Sequence, residues 1–249
     1  MKLNVRNDDI ANNTNILDIV VPEELKKRHR SGLEFFDDAL GGQGFMPSSV
    51  VLFTGTPGAG KTTMMLELAD RLTKSGASVL FNTAEESLHQ LRITTQRLGL
   101  VHGFIAGQDM QVTKLLAHAD AIRAANPGKP FFMIIDSLQT LDDGYFDSGR
   151  ITSATAERSL QQITDYCKEH YVNAIVIGQV TKSGVMSGSN KLKHMVDVKM
   201  SLDVERKDEQ LLGCRILEVE KNRTGSSGGI FFLALRQDGF TEVQRVMIT

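Results

Sequence analysis

Between the apolar run Val50-Val51-Leu52-Phe53-Thr54 and the helically spaced Met65, Leu68 and Leu72 lies the stretch Gly55-Thr56-Pro57-Gly58-Ala59-Gly60-Lys61-Thr62, followed by Thr63. The run before it reads as a strand and the residues after it as a helix. A loop of pattern Gly-x-x-x-x-Gly-Lys-Thr in that position is built to hold phosphates. Its glycines let successive backbone N–H groups turn inward, and the helix N-terminus adds a favourable dipole. Lys61 supplies a point charge for the β- and γ-phosphates, and Thr62 offers a hydroxyl to Mg²⁺. Residues Gly55 to Thr63 are therefore expected to bind ATP with Mg²⁺. A chance glycine-rich turn would not need both flanking elements.

Working outward, Leu33 to Leu40 has the pattern of a short helix, broken by Gly41, Gly42 and Gly44 ahead of the first strand. On the far side the chain alternates. Val79 to Phe81 reads as a strand, and Leu88 to Leu98 as a helix capped by Ser87 and ended by Gly99. A helix over Val112 to Ala124 and a turn at Asn126-Pro127-Gly128 follow. Phe131 to Ile135 and Val172 to Ile177 are continuous apolar runs, as expected of strands buried on both faces, with a long amphipathic helix from Ser153 to Glu169 between them. Val196-Leu202, Cys214-Val219 and Ile230-Leu235 read as shorter strands, with a final hairpin at Asp238-Gly239. The fold class predicted is α/β: a mostly parallel central sheet flanked by helices, with an antiparallel C-terminal edge.

Two acidic positions fall where the phosphate loop needs them. Asp136 ends the run Phe-Phe-Met-Ile-Ile, at the C-terminal end of a strand, where a carboxylate can sit beside the metal. A loop-capping Asp is the alternative. Asn82-Thr83-Ala84-Glu85-Glu86 puts two carboxylates just past another buried strand, and Glu85 is the candidate base for activating water. Favourable placement at the start of the Ser87 helix is the other account, and the better one for Glu86.

The 249 residues suit one principal α/β domain. We expect an N-terminal arm or oligomerisation segment over 1–30, whose first part is rich in Asn and Asp, and an ATPase domain over 31–249. With 41% hydrophobic and 23% charged residues the chain is ordinary for a soluble protein, and a net charge of −2 gives no global basic footprint. Any nucleic-acid contact must therefore come from a local patch. Cys167 and Cys214 lack Cys-x-x-Cys spacing and are expected to be buried free thiols. Neither a signal sequence nor a run of about 18 apolar residues is seen, so a cytoplasmic location and no membrane partner are expected.

Taken in order, several segments resemble the RecA-like ATPases, and most closely the core of the bacterial RadA/Sms recombination proteins, from about Ser31 to Phe240. The carriers are Ser31-Gly32-Leu33-Glu34 with Leu40-Gly41-Gly42, the phosphate loop, Ala84-Glu85-Glu86-Ser87, Arg97-Leu98-Gly99-Leu100 and Ile135-Asp136-Ser137-Leu138-Gln139-Thr140. Gly178-Gln179-Val180-Thr181-Lys182, His194-Met195-Val196-Asp197 and Lys221-Asn222-Arg223-Thr224-Gly225 complete the set. The last resembles the family's Lys-Asn-Arg-Phe-Gly motif, with Thr224 in place of Phe.

The resemblance implies that Lys221 and Arg223 reach the neighbouring subunit's γ-phosphate, as fingers worth ~10³–10⁵ in rate. Surface ion pairs are the reading without the family. It further implies that Gln179 senses the γ-phosphate. Val180 to Lys193, a flexible glycine- and serine-bearing loop with Lys182, Lys191 and Lys193, would contact DNA, and Asp142 to Ser153 would offer Tyr145 and Phe146 for stacking. The implied protein is a DNA-dependent ATPase, an oligomeric motor on single-stranded or branched DNA in recombination, branch migration or repair. It would form a ring, hexameric by resemblance, or a filament, and work with recombinase or replication proteins. A replicative-helicase-like motor and a nucleotide-gated assembly protein are the alternatives. Family members usually also carry a four-cysteine zinc finger and a Lon-protease-like domain. The two cysteines and the end of this chain soon after the core lead to the expectation of an ATPase core alone.

Overall fold

Every residue of β1 (Val50–Gly55), β2 (Ser78–Thr83) and β4 (Phe131–Asp136) is buried, and only Gln179 of β5 (Asn173–Gln179) is exposed. Strands apolar on both faces require a layer of helices on each side. The computed structural model, which describes residues 15–146, 151–180 and 189–247, supplies them. After the single turn α1 (Glu23–Lys26), α2 (Glu34–Ala39), α3 (Lys61–Lys74) and α4 (Leu88–Arg97) cover one face. The other face is covered by α5 (Val112–Ala125), α6 (Ser153–His170) and α7 (Ser189–Met195).

Alternation along β1 divides the core in two. Val51 and Phe53 join Phe36, Phe45, Met64, Leu68 and Phe81 on the α3 side. Val50 and Leu52 join Leu115, Met133, Leu160, Ile163 and Leu192 on the α6 side.

One nine-stranded sheet results, in the order β3-β2-β4-β5-β1-β6-β7-β8-β9, with β3 (Ile105–Gly107), β6 (Val198–Val204), β7 (Arg215–Asn222), β8 (Ile230–Arg236) and β9 (Gly239–Val246). Pairings from β3 through β6 are parallel, and β6 to β9 form an antiparallel meander. The predicted α/β class with an antiparallel C-terminal edge is what the structure shows.

Register fixes where the functional residues land. Gly55 pairs with Gln179 across β1 and β5, and Thr83 pairs with Asp136 across β2 and β4. Four sequence-distant strand ends therefore meet along one edge of the parallel sheet, the expected place for a ligand in an open α/β fold.

Two expectations are corrected. The stretch Val180 to Lys193 is not loop throughout, since residues from Ser189 onward form α7, which buries Leu192 against the α6 layer. Cys214 is only partly buried, because it lies in the turn before β7, whereas Cys167 is fully buried on α6. On the N-terminal side, His29 exchanges two 2.9 Å backbone hydrogen bonds with Phe45, and Arg28 Nη2 donates to the Thr224 carbonyl at 2.7 Å. Residues 28 and 29 are thus tied to the body of the domain.

Candidate nucleotide-binding and hydrolytic site

The phosphate loop follows β1 and runs into the N-terminus of α3. Gly55 (φ 151°), Gly58 (φ 79°) and Gly60 (φ 101°) all adopt backbone angles that favour glycine. At Gly55 close approach adds to this, since a Cβ there would lie 2.0 Å from the Leu202 carbonyl oxygen. At Gly60 a Cβ would meet the Phe240 ring at 3.0 Å and Leu235 at 3.1 Å. The loop is clamped from β6 and β7. Thr56 N donates to Asp203 Oδ1 at 3.0 Å, and Arg215 Nε donates to the Ala59 carbonyl at 3.3 Å. Lys61 Nζ donates to the carbonyls of Gly55 and Thr56 at 2.8 and 3.1 Å, so its charge sits inside the curl of the loop. Burial lowers its pKa, against the opposing pull of Asp136, Glu85 and Asp203.

Thr62, in the first turn of α3, donates from Oγ1 to Asp136 Oδ2 at 2.7 Å. Burial pushes the Asp136 carboxyl up to about 6; the Thr62 hydrogen bond opposes the rise, while the charges of Glu85 and Glu86 add to it and Lys61 counters it. An additional cation would relieve that buried carboxylate. Two hard oxygens side by side suit Mg²⁺, which is held by one or two protein ligands together with phosphate oxygens and water. The described residues contain no cluster of three or more His, Cys, Asp or Glu that could cage a metal on its own. Thr62 and Asp136 therefore fit the ion expected from the sequence, and when bound it would neutralise charge on the phosphates.

Glu85 lies just past β2 and is gripped from two directions. Gln179 Nε2 donates to its two carboxylate oxygens at 2.7 and 2.8 Å, and the buried Ser137 hydroxyl donates to Oε1. Gln179 is itself held by its backbone, donating N–H to Gln139 Oε1 at 3.1 Å. Ser137 follows Asp136 across a cis peptide, and Gln139 lies in the 3-10 turn Leu138–Thr140. Three predicted residues, Glu85, Asp136 and Gln179, are thus brought to one edge with the phosphate loop. The sequence alone assigns no role to Ser137 or Gln139. Asp203 and Arg215 had no local signal, since they reach the loop from 147 and 156 residues away.

Lys221 and Arg223 lie elsewhere. Asn222, between them, pairs with Val198, which pairs with Val51. Arg223 therefore sits near the start of β1, roughly 15 Å along the strand direction from Gly55. Lys221 Nζ donates to the carbonyls of Lys193 and Val196, and Arg223 Nη2 to that of His194. Among the predicted DNA-contacting lysines, Lys191 is ion-paired with Glu157 and Lys193 lies 3.6 Å from Glu220. Lys182 falls outside the described residues. Tyr145 and Phe146 stand edge to face at 4.9 Å, with the Arg158 guanidinium 4.3 Å from the Tyr145 ring centre.

A phosphate loop, a Thr–Asp pair and a held glutamate at the strand ends of such a sheet define a P-loop ATPase core of the RecA fold. Comparison with known proteins agrees. Residues 29–124 match the family model "ATPase: KaiC". The chain is similar to DNA repair protein RadA of Aquifex aeolicus, 32% identical over 222 residues that make up 89% of this chain and 47% of that one. With RadA of Bacillus subtilis it shares 31% identity over 216 residues, 87% of this chain and 45% of the relative. Among solved structures, a KaiC-like protein from Pyrococcus horikoshii superposes with a TM-score of 0.66 at 22% identity, over 88% of this chain and 99% of that one. This chain carries a RadA-like, RecA-type ATPase core, and it spans about half the length of the curated relatives it matches.

Proposed function

We propose that the protein is a DNA-dependent ATPase that works as an oligomer on single-stranded or branched DNA, in recombination or repair. The observation that carries this reading is the grip on Glu85 by Ser137 and Gln179, beside the Thr62–Asp136 pair and the phosphate loop. A loop that only stored nucleotide would not need a carboxylate aimed by three hydrogen bonds. Lys61 and the loop amides hold the phosphates, and Thr62 and Asp136 would hold Mg²⁺, which would supply neutralising charge to the phosphate oxygens. Glu85 orients a water and takes its proton. Gln179 holds Glu85 and heads the segment beyond β5, so a change at the γ-phosphate is passed along the chain from there.

Lys221 and Arg223 complete the site of a neighbouring copy, where a cation can stabilise charge spread over the transferring phosphoryl group. Their distance from their own loop supports this assignment. Lys182, Lys191 and Lys193 contact the DNA backbone, with Tyr145 and Phe146 as a stacking edge held by Arg158. The name of the RadA relatives, DNA repair proteins, supports the choice of DNA as partner. No described helix is long and apolar enough to cross a membrane, and a cytoplasmic setting belongs to the same proposal.

The test is steady-state ATP hydrolysis with and without single-stranded DNA, at low and moderate salt. Stimulation by DNA that weakens with salt is expected, and the absence of both stimulation and binding at low salt would contradict the proposal. Glu85→Gln is expected to bind ATP as the parent does and to lose about 10²–10⁴ in hydrolysis rate.

A further inference from the structure

α7 ends against the two cations at the end of β7. Lys221 Nζ donates to Lys193 O and Val196 O, both at 2.6 Å, and Arg223 Nη2 donates to His194 O at 3.0 Å. The last carbonyls of a helix find no partner within it, and positive charge beside them also offsets the negative end of its dipole. Lys221 and Arg223 are therefore the C-terminal cap of α7. Such a cap matters most for a short helix. Seven residues do not hold helical geometry alone in water, and the fully buried anchor of α7 is Leu192.

Asp197 keeps the capping group in place. Its Oδ2 accepts from Lys168 Nζ at 2.9 Å and from Val50 N at 3.0 Å, its carbonyl accepts from Arg223 N at 2.9 Å, and its Oδ1 lies 3.8 Å from Arg223 Nη1.

We propose that Lys221 and Arg223 are shared between two anionic partners, the C-terminal carbonyls of α7 in their own chain and the triphosphate held by a neighbouring copy, so that engaging the second releases the first. This rests on the reading that the two cations complete the neighbour's site. An ammonium has three donors, and Lys221 already commits one to the Lys193 carbonyl of α7 and one to the Val196 carbonyl just past its end. Two 2.6 Å bonds fix Nζ between those carbonyls, so carrying it outward to a phosphate on a neighbouring copy breaks them and draws the side chain off the helix end. α7 carries Lys191 and Lys193, so the position of these two lysines becomes a readout of nucleotide in the adjacent copy. Their ion pairs with Glu157 and Glu220 mark where they rest while the cap is in place.

Backbone hydrogen exchange over residues 189–195 tests this in the full chain, measured with and without Mg²⁺ and a non-hydrolysable ATP analogue at one protein concentration. The wild type is expected to show exchange at α7 rising roughly tenfold on adding the analogue, the effect of removing two charged caps. In Lys221→Ala and in Arg223→Ala, each of which keeps one of the two caps, the same peptide should start at intermediate exchange and respond less, and in the double variant it should exchange fast from the start and no longer respond. Suppose wild-type exchange is indifferent to the analogue while Arg223→Ala has lost hydrolysis. The finger assignment then stands and the shared-cation proposal is overturned, leaving the cap purely structural. If Arg223→Ala hydrolyses ATP at the parental rate, the finger assignment itself is wrong and the proposal falls with it.

Discussion

Ser137 shows what a single buried hydroxyl contributes here. Among the described residues, it and Gln179 are the side chains that bond the Glu85 carboxylate, and they approach from the ends of different strands. Ser137→Ala removes one of them and leaves the phosphate loop untouched. We expect kcat to fall by about tenfold with KM for ATP nearly unchanged, the mark of an interaction that aims the reacting group. A rise in KM at constant kcat would show that Ser137 serves nucleotide binding instead. The glycines of the loop separate in a similar way. Gly55→Ala places a Cβ 2.0 Å from the Leu202 carbonyl oxygen, and we expect a loss of at least about 3 kcal/mol in urea unfolding. Gly58 faces open space, so Gly58→Ala meets only backbone strain and should cost about 1 kcal/mol. Equal losses at the two positions would contradict this packing.

At the scale of elements, what was legible in the sequence is what local chemistry determines. The phosphate loop, the Ser87 cap and the apolar runs ending on Asp136 and Gln179 each declare themselves within a few residues. α7 does not, because Lys191-Leu192-Lys193-His194 offers one apolar anchor and its cap comes from β7, almost thirty residues on. β3 is equally silent: three residues, two of them exposed, form an edge strand paired with β2. Asp197 joins α6, β1 and the end of β7, which no local pattern reveals. Asp197→Ala leaves Lys168 and the Val50 amide without their shared acceptor, and we expect about 2–4 kcal/mol of lost stability.

His29 carries a pH signature on the same terms. Burial, opposed by Asp37, lowers its pKa, and its ring packs against Phe132 at 5.3 Å. The unfolded chain then takes up a proton that the folded one resists, so its contribution is full above pH ~6.5 and is lost as the pH falls below that. The urea midpoint should drop more between pH 7.5 and pH 5.5 in the wild type than in His29→Gln; equal drops would remove His29 from the account.

Across the whole molecule, the parallel half of the sheet gathers the loop, Thr62, Asp136, Glu85 and Gln179 at one edge, and the antiparallel meander carries Lys221 and Arg223 toward the other. On the proposed function, one chain holds both halves of a hydrolytic site but keeps them apart, and an oligomer would bring them together between copies. Mixing two inactive variants tests this most directly. Lys61→Ala lacks the phosphate lysine but keeps its fingers, and Arg223→Ala lacks a finger but keeps its loop. Each alone should be nearly inactive, and an equal mixture should recover hydrolysis to about a quarter of the wild-type rate, the share of interfaces that pair an intact loop with an intact finger. A mixture no more active than its components, or an Arg223→Ala protein that is fully active by itself, would contradict a site completed by a second copy.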